Sequence, residues 1–120
     1  MTKTHHTMHP RGGWVEVICG CMFSGKTEEM IRRVRRAQIA RQAVIVFKPM
    51  IDNRYSDTEV MSHSNQKIPA KLIMDAAEIR QMITDEQVIG IDEAQFVKGD
   101  LPLLVRSMAH QGKRVIVAGL

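Results

Sequence analysis

Gly20-Cys21-Met22-Phe23-Ser24-Gly25-Lys26-Thr27 matches G-x-x-x-x-G-K-[ST], and it directly follows the alternating, β-rich stretch Trp14 to Ile18 (WVEVI). Glycine allows backbone conformations and close approaches that a Cβ would forbid. Successive N–H groups in such a loop point inward and form an anion nest at the start of the next helix. The pattern therefore reads as a phosphate-binding loop between a strand and a helix, with Lys26 reaching the β- and γ-phosphates of ATP and the Thr27 hydroxyl placed to ligate Mg²⁺.

Downstream of the loop the period changes. Met30, Ile31, Val34 and Ala37 recur at three- and four-residue spacing, which predicts a helix from Lys26. Ala43 to Phe47 (AVIVF) is a continuous apolar run, as in strands buried on both faces of a parallel sheet, and Lys48-Pro49 ends it. Residues 50–66 are polar and turn-rich and read as a long loop. Ile68 to Ile73 reads as a further strand, and Asp75-Ala-Ala-Glu78 as a capping box opening a helix through about Met82. Val88 to Ile91 (VIGI) is another buried strand. Asp100 caps a helix through Ala109, Gly112 stops it, and Val115 to Ala118 (VIVA) is the last strand. Alternating strands and helices predict an α/β fold, a three-layer P-loop NTPase (RecA-like) domain with a central, mainly parallel sheet flanked by helices.

The chain has 120 residues, 44% of them hydrophobic, the size of one domain with a modest core. No stretch approaches the roughly 18 consecutive apolar residues of a membrane span. The polar start MTKTHHTMHPRGG is no secretory signal, so a cytoplasmic location is expected and residues 1–12 are expected to form a flexible tail before a domain over 13–120. Cys19 and Cys21 alone cannot close a four-ligand zinc site. Of the net charge of +4, the excess is local: ten Lys and Arg against four Asp and Glu through Arg54, and seven against nine beyond it. Arg32, Arg33, Arg35, Arg36 and Arg41 point in several directions from one helix rather than forming a stripe. With one Trp, one Tyr and three Phe, base stacking has little support, so nucleic acid is not the expected partner.

Asp92 ends the run VIGI where P-loop proteins hold a second magnesium contact, and Glu93 follows at once, suited to orient or deprotonate a nucleophile. Asp52 and Arg54 lie after the second predicted strand. If that strand neighbours the first, both arrive beside the phosphates, and Arg54 can stabilise charge on the transferred group. These motifs leave open a kinase acting on a small hydroxyl substrate, a helicase or motor ATPase, and an inactive nucleotide-binding piece.

Taken together, G-x-M-F-S-G-K-[ST], RRVRRAQ, KP-x-x-D-x-RYS, H-S, IDEAQF and VIVAGL closely resemble the cytosolic (type II) thymidine kinase family, from about Gly13 to Leu120. The resemblance implies transfer of the γ-phosphate of ATP to the 5′-hydroxyl of thymidine, with Mg²⁺. It makes Glu93 the catalytic base, Lys26 the phosphate lysine, and Arg54 and Asp52 loop residues near phosphate and metal. Thr27 and Asp92 join Asp52 around Mg²⁺. ATP contacts fall on Gly20, Cys21, Met22, Phe23, Ser24, Gly25, Lys26 and Thr27, and on Asp92, Glu93, Ala94 and Gln95. Met22 and Phe96 line the thymidine pocket. Family members continue with a four-cysteine zinc lasso over the nucleoside and are commonly tetrameric. That stretch is absent from this sequence, so the resemblance implies a piece inactive alone, whose full-length parent carries structural Zn²⁺.

Overall fold

The computed structural model describes residues 3–8 by their backbone, and residues 12–20, 25–50, 59–61 and 66–119 in full. In chain order the elements are β1 (Lys3–Met8), β2 (Trp14–Cys19), α1 (Lys26–Ile39), β3 (Val44–Pro49), β4 (Glu59–Met61), β5 (Lys67–Pro69), β6 (Lys71–Ile73), α2 (Ala76–Met82), β7 (Val88–Ile91), a 3-10 turn (Ala94–Phe96), α3 (Leu101–His110) and β8 (Arg114–Gly119). The main sheet runs β1-β2-β8-β7-β3-β6. Its last five strands pair in parallel, and β1 adds an antiparallel edge. This is the expected α/β architecture.

Alternation along each strand divides the core between two faces. On one face Ile18, Val46, Val88, Ile116 and Ala118 meet Met30, Ile31, Val34 and Ala37 of α1. On the other, Phe47, Ile89, Ile91 and Val115 meet Ile79 of α2 and Leu104, Val105 and Met108 of α3. Burying each of these large side chains contributes about 1.5–3 kcal/mol, so the two half-cores rather than helix propensity hold the layers. Gly90 sits beneath α1. A Cβ there would lie 3.3 Å from Cγ2 of Val46 on the neighbouring strand and at ordinary contact distance, 3.7 Å, from Cγ2 of Val34, so the glycine relieves crowding against Val46. Among the described residues no helix is long and apolar enough to cross a membrane.

Besides the short strand β4 inside the loop expected over 50–66, three features differ from the reading of the sequence. Lys3–Met8, expected as a tail, runs as an edge strand beside β2. Backbone pairing to a free sheet edge needs no apolar pattern, so composition gave no sign of it. The expected strand from Ile68 to Ile73 is two strands broken at Ala70. β5 pairs with β4 in a separate antiparallel ribbon, and β6 joins the main sheet beside β3. Pro69 offers no N–H to continue one ladder. Lastly, β3 does not neighbour β2: β8 and β7 lie between them. β3 therefore ends beside the Asp92 strand and not beside β2, because α1 crosses over two strands before the chain re-enters the sheet.

Among the described residues Glu16 of β2 is the most deeply buried acidic one, 2% exposed, on the α1 face. Its carboxylate accepts from Arg33 Nη1 at 2.8 Å, Arg114 Nη2 at 3.1 Å and Trp14 Nε1 at 2.6 Å, and the Arg114 guanidinium lies 5.8 Å from the Trp14 ring centre. Burial alone pushes its pKa up; Arg114, Trp14 and Arg33 outweigh that and hold it below the ordinary 4.5. Because the folded carboxylate binds its proton less readily than the unfolded one, the stabilisation is fully present above pH 4.5 and is lost as pH falls through the lower folded value. Glu16→Gln is expected to cost about 3 kcal/mol at pH 7. Thermal unfolding should show the gap to wild type narrowing as pH drops below 4.5; a gap that widens there counts against the ion cluster.

Candidate active site

The carboxyl ends of β2, β8, β7 and β3 meet at one rim of the sheet, where open α/β folds bind ligands. β2 delivers Gly20, and α1 begins at Lys26 with Gly25 as its N-cap in the left-handed region (φ 84°, ψ 21°). A Cβ on Gly25 would meet nothing within 4 Å, so the requirement for glycine is conformational. Lys26 Nζ donates to the Gly20 carbonyl at 2.7 Å, bridging the two described ends of the phosphate loop. Glu28 and Glu29 in the first turn of α1 complement the helix dipole. Cys21, Met22, Phe23 and Ser24 lie outside the described residues, as do Asp52 and Arg54.

Thr27 and Asp92 come together across 65 residues of sequence: the Thr27 hydroxyl donates to Asp92 at 3.3 Å (Oδ1) and 3.5 Å (Oδ2). Asp92 extends β7 by one residue, its N–H donating to the Phe47 carbonyl at 2.9 Å. It is 7% exposed. Burial, and then the neighbouring charge of Glu93, push its pKa up to about 6, against the opposing pull of the Glu93 backbone, the Thr27 hydroxyl and the Lys48 ammonium. Such a carboxylate is short of positive charge. With the Thr27 oxygen beside it, the pair suits a hard cation such as Mg²⁺.

Glu93 takes the opposite posture. Its side chain is exposed, and its backbone sits in the left-handed region (φ 49°, ψ 47°). For a non-glycine residue this costs about 1–2 kcal/mol and persists only where its surroundings impose it. Those surroundings are the Ala94–Phe96 turn, closed by Phe96 N–H to Glu93 O at 3.0 Å and Val97 N–H to Ala94 O at 3.1 Å. Beyond the turn, Lys98 zips to the α2 entry: its N–H donates to Met74 O at 3.2 Å, and its carbonyl accepts from Ala76 N–H at 2.9 Å. The turn also abuts the end of β8, since a Cβ on Gly119 would lie 2.7 Å from Gln95 Oε1 and 3.4 Å from Ala94 N. Gln95 is exposed, Ala94 half-buried, and Phe96 is 52% exposed.

The structure thus unites Gly20, Gly25, Lys26, Thr27, Asp92, Glu93, Ala94, Gln95 and Phe96 at one rim. Lys48 belongs there too, though the sequence marked it only as the end of a strand. It is 9% exposed, and its charge reaches Asp92. Among the described residues no group of three or more His, Cys, Asp or Glu is placed to hold a metal.

Residues 13–120 match the family model for thymidine kinase. A thymidine kinase of Rhodothermus sp. (strain ITI 518) is 56% identical over 108 residues, which cover 90% of this chain and 51% of that protein. The chain therefore spans about half the length of that relative.

Proposed function

The chain belongs to the thymidine kinase family, and from that premise we propose that the whole protein transfers the γ-phosphate of ATP to the 5′-hydroxyl of thymidine. The observation that carries the reading is the pairing of two unlike carboxylates. Asp92 is buried against Thr27, and Glu93 is exposed and held in a left-handed conformation one residue on. Unlike environments give unlike roles. Asp92 and Thr27 hold the metal side, with Asp52 a further candidate ligand from the loop after β3. Mg²⁺ there would offset negative charge on the β- and γ-phosphates. Lys26 turns from the Gly20 carbonyl to the phosphates, and the inward N–H groups of Gly20 to Thr27 cradle them. Glu93 accepts the 5′-hydroxyl proton as that oxygen bonds to the γ-phosphorus; the bond from the γ-phosphorus to the β–γ bridging oxygen breaks, and ADP leaves. Arg54 stabilises the passing charge. Met22 and Phe96 line the thymidine side, Ala94 and Gln95 the nucleotide side.

The family reading also carries a zinc-bearing segment over the nucleoside, a cytoplasmic location and a tetrameric assembly. Alone, these 120 residues are expected to bind ATP or phosphate weakly. The full-length protein given ATP, Mg²⁺ and thymidine should form one dTMP per ADP, with no stimulation by single-stranded DNA. ATP hydrolysis strongly stimulated by DNA, without dTMP, would reverse the choice in favour of a motor ATPase.

A further inference from the structure

Lys48 is a buried cation that the reaction as described does not use. It is the residue after Phe47 on β3, and Phe47 pairs with Ile91. Lys48 therefore stands level with Asp92 across two parallel strands, and both side chains fall on the α1 face. Its Nζ donates to the Glu59 carbonyl of β4. The β4–β5 ribbon is itself fastened to α1: Val60 and Ile68 join the core around Met30, Ile31 and Val34, and Arg35 donates to the Lys67 carbonyl at 3.3 Å. The ammonium is thus held to the β4–β5 ribbon, on the same sheet face as the carboxylate that accepts from Thr27.

Anchoring the ribbon alone does not call for a charge. A neutral donor would serve the Glu59 carbonyl, whereas burying an ammonium costs several kcal/mol unless an opposite charge answers it. Asp92 stands level with it across the β3–β7 pair and feels its charge, burial and Glu93 being the larger influences on that carboxylate. We propose that Lys48 is a positioning residue for phosphoryl transfer, its buried ammonium holding the Asp92 carboxylate in place at the end of β7 and offsetting the adjoining charges of Asp92 and Glu93. Lys26 and the phosphate loop meet the nucleotide directly and set its binding. Lys48 acts through Asp92, so its loss falls on turnover.

The inference rests on the kinase reading, and the two fail separately: a wild-type protein that makes no dTMP sinks the reading before any variant is compared. In the full-length enzyme, Lys48→Gln keeps a hydrogen-bond donor and removes the charge, Lys48→Met removes both, and Lys48→Arg keeps both. Gln and Met are expected to lose about 30-fold or more in kcat, as for removal of one electrostatic contact, while KM for ATP moves less than about threefold. Arg is expected to retain most of the turnover. Wild-type kcat in Lys48→Gln overturns the proposal. So does parallel loss of melting temperature and activity in all three variants, which would make the lysine a strut only.

Discussion

Glu93→Gln in the full-length enzyme is expected to lower kcat for thymidine about a thousandfold while KM for ATP moves no more than a few-fold. The amide matches the carboxylate in shape and cannot take the 5′-hydroxyl proton. Glu93 is exposed, so the change leaves no buried group unpaired, and a melting temperature near wild type should accompany the lost turnover. The left-handed backbone at Glu93 is set by the Ala94–Phe96 turn and its fastening at Lys98. The glutamine is therefore presented in the same place as the glutamate, and the comparison isolates proton transfer from position. Steady-state rates of dTMP formation decide the matter. Turnover within about threefold of wild type would assign the base elsewhere, because general-base catalysis is worth about 10²–10⁴ in rate.

What the sequence made legible was whatever depends on neighbours a few residues away. The helical face of Met30, Ile31, Val34 and Ala37 is the buried face of α1. The cap expected at Asp75 accepts from Glu78 N–H at 3.1 Å, and the cap at Asp100 accepts from Leu103 N–H at 3.1 Å. VIGI and VIVA are adjacent parallel strands of the sheet interior. Long-range pairing was not legible. Nothing local says that β3 lies against β7, and hence that Lys48 stands beside Asp92. The alternation in WVEVI does not distinguish a solvated glutamate from one buried under a helix. Glu16 is the latter because Arg33 and Arg114, distant in sequence, answer its charge. Likewise β4 is three residues in a polar stretch, and it exists as a strand only through its ribbon partner β5.

Lys26→Met should separate nucleotide capture from proton transfer, because its loss falls on both affinity and rate where Glu93→Gln spares affinity. The ammonium is 2.7 Å from the Gly20 carbonyl, at the first turn of α1, where the proposed function puts the phosphates. Methionine is a good helix former of similar length, and the one hydrogen bond forfeited is worth about 1 kcal/mol, so the fold should survive with a small drop in melting temperature. The phosphates, in contrast, lose a positive charge aimed at the oxygens where negative charge accumulates during transfer. A fall in kcat of about 10²–10³ is expected, with weaker ATP binding by calorimetry on top of it. Thymidine affinity should stay unchanged, since the lysine faces the phosphates. If Lys26→Met bound ATP and turned over thymidine like wild type, the loop would be a structural turn rather than a phosphate cradle. The assignments of Thr27 and Asp92 to the metal side would then fall with it, because their placement is argued from the same helix end.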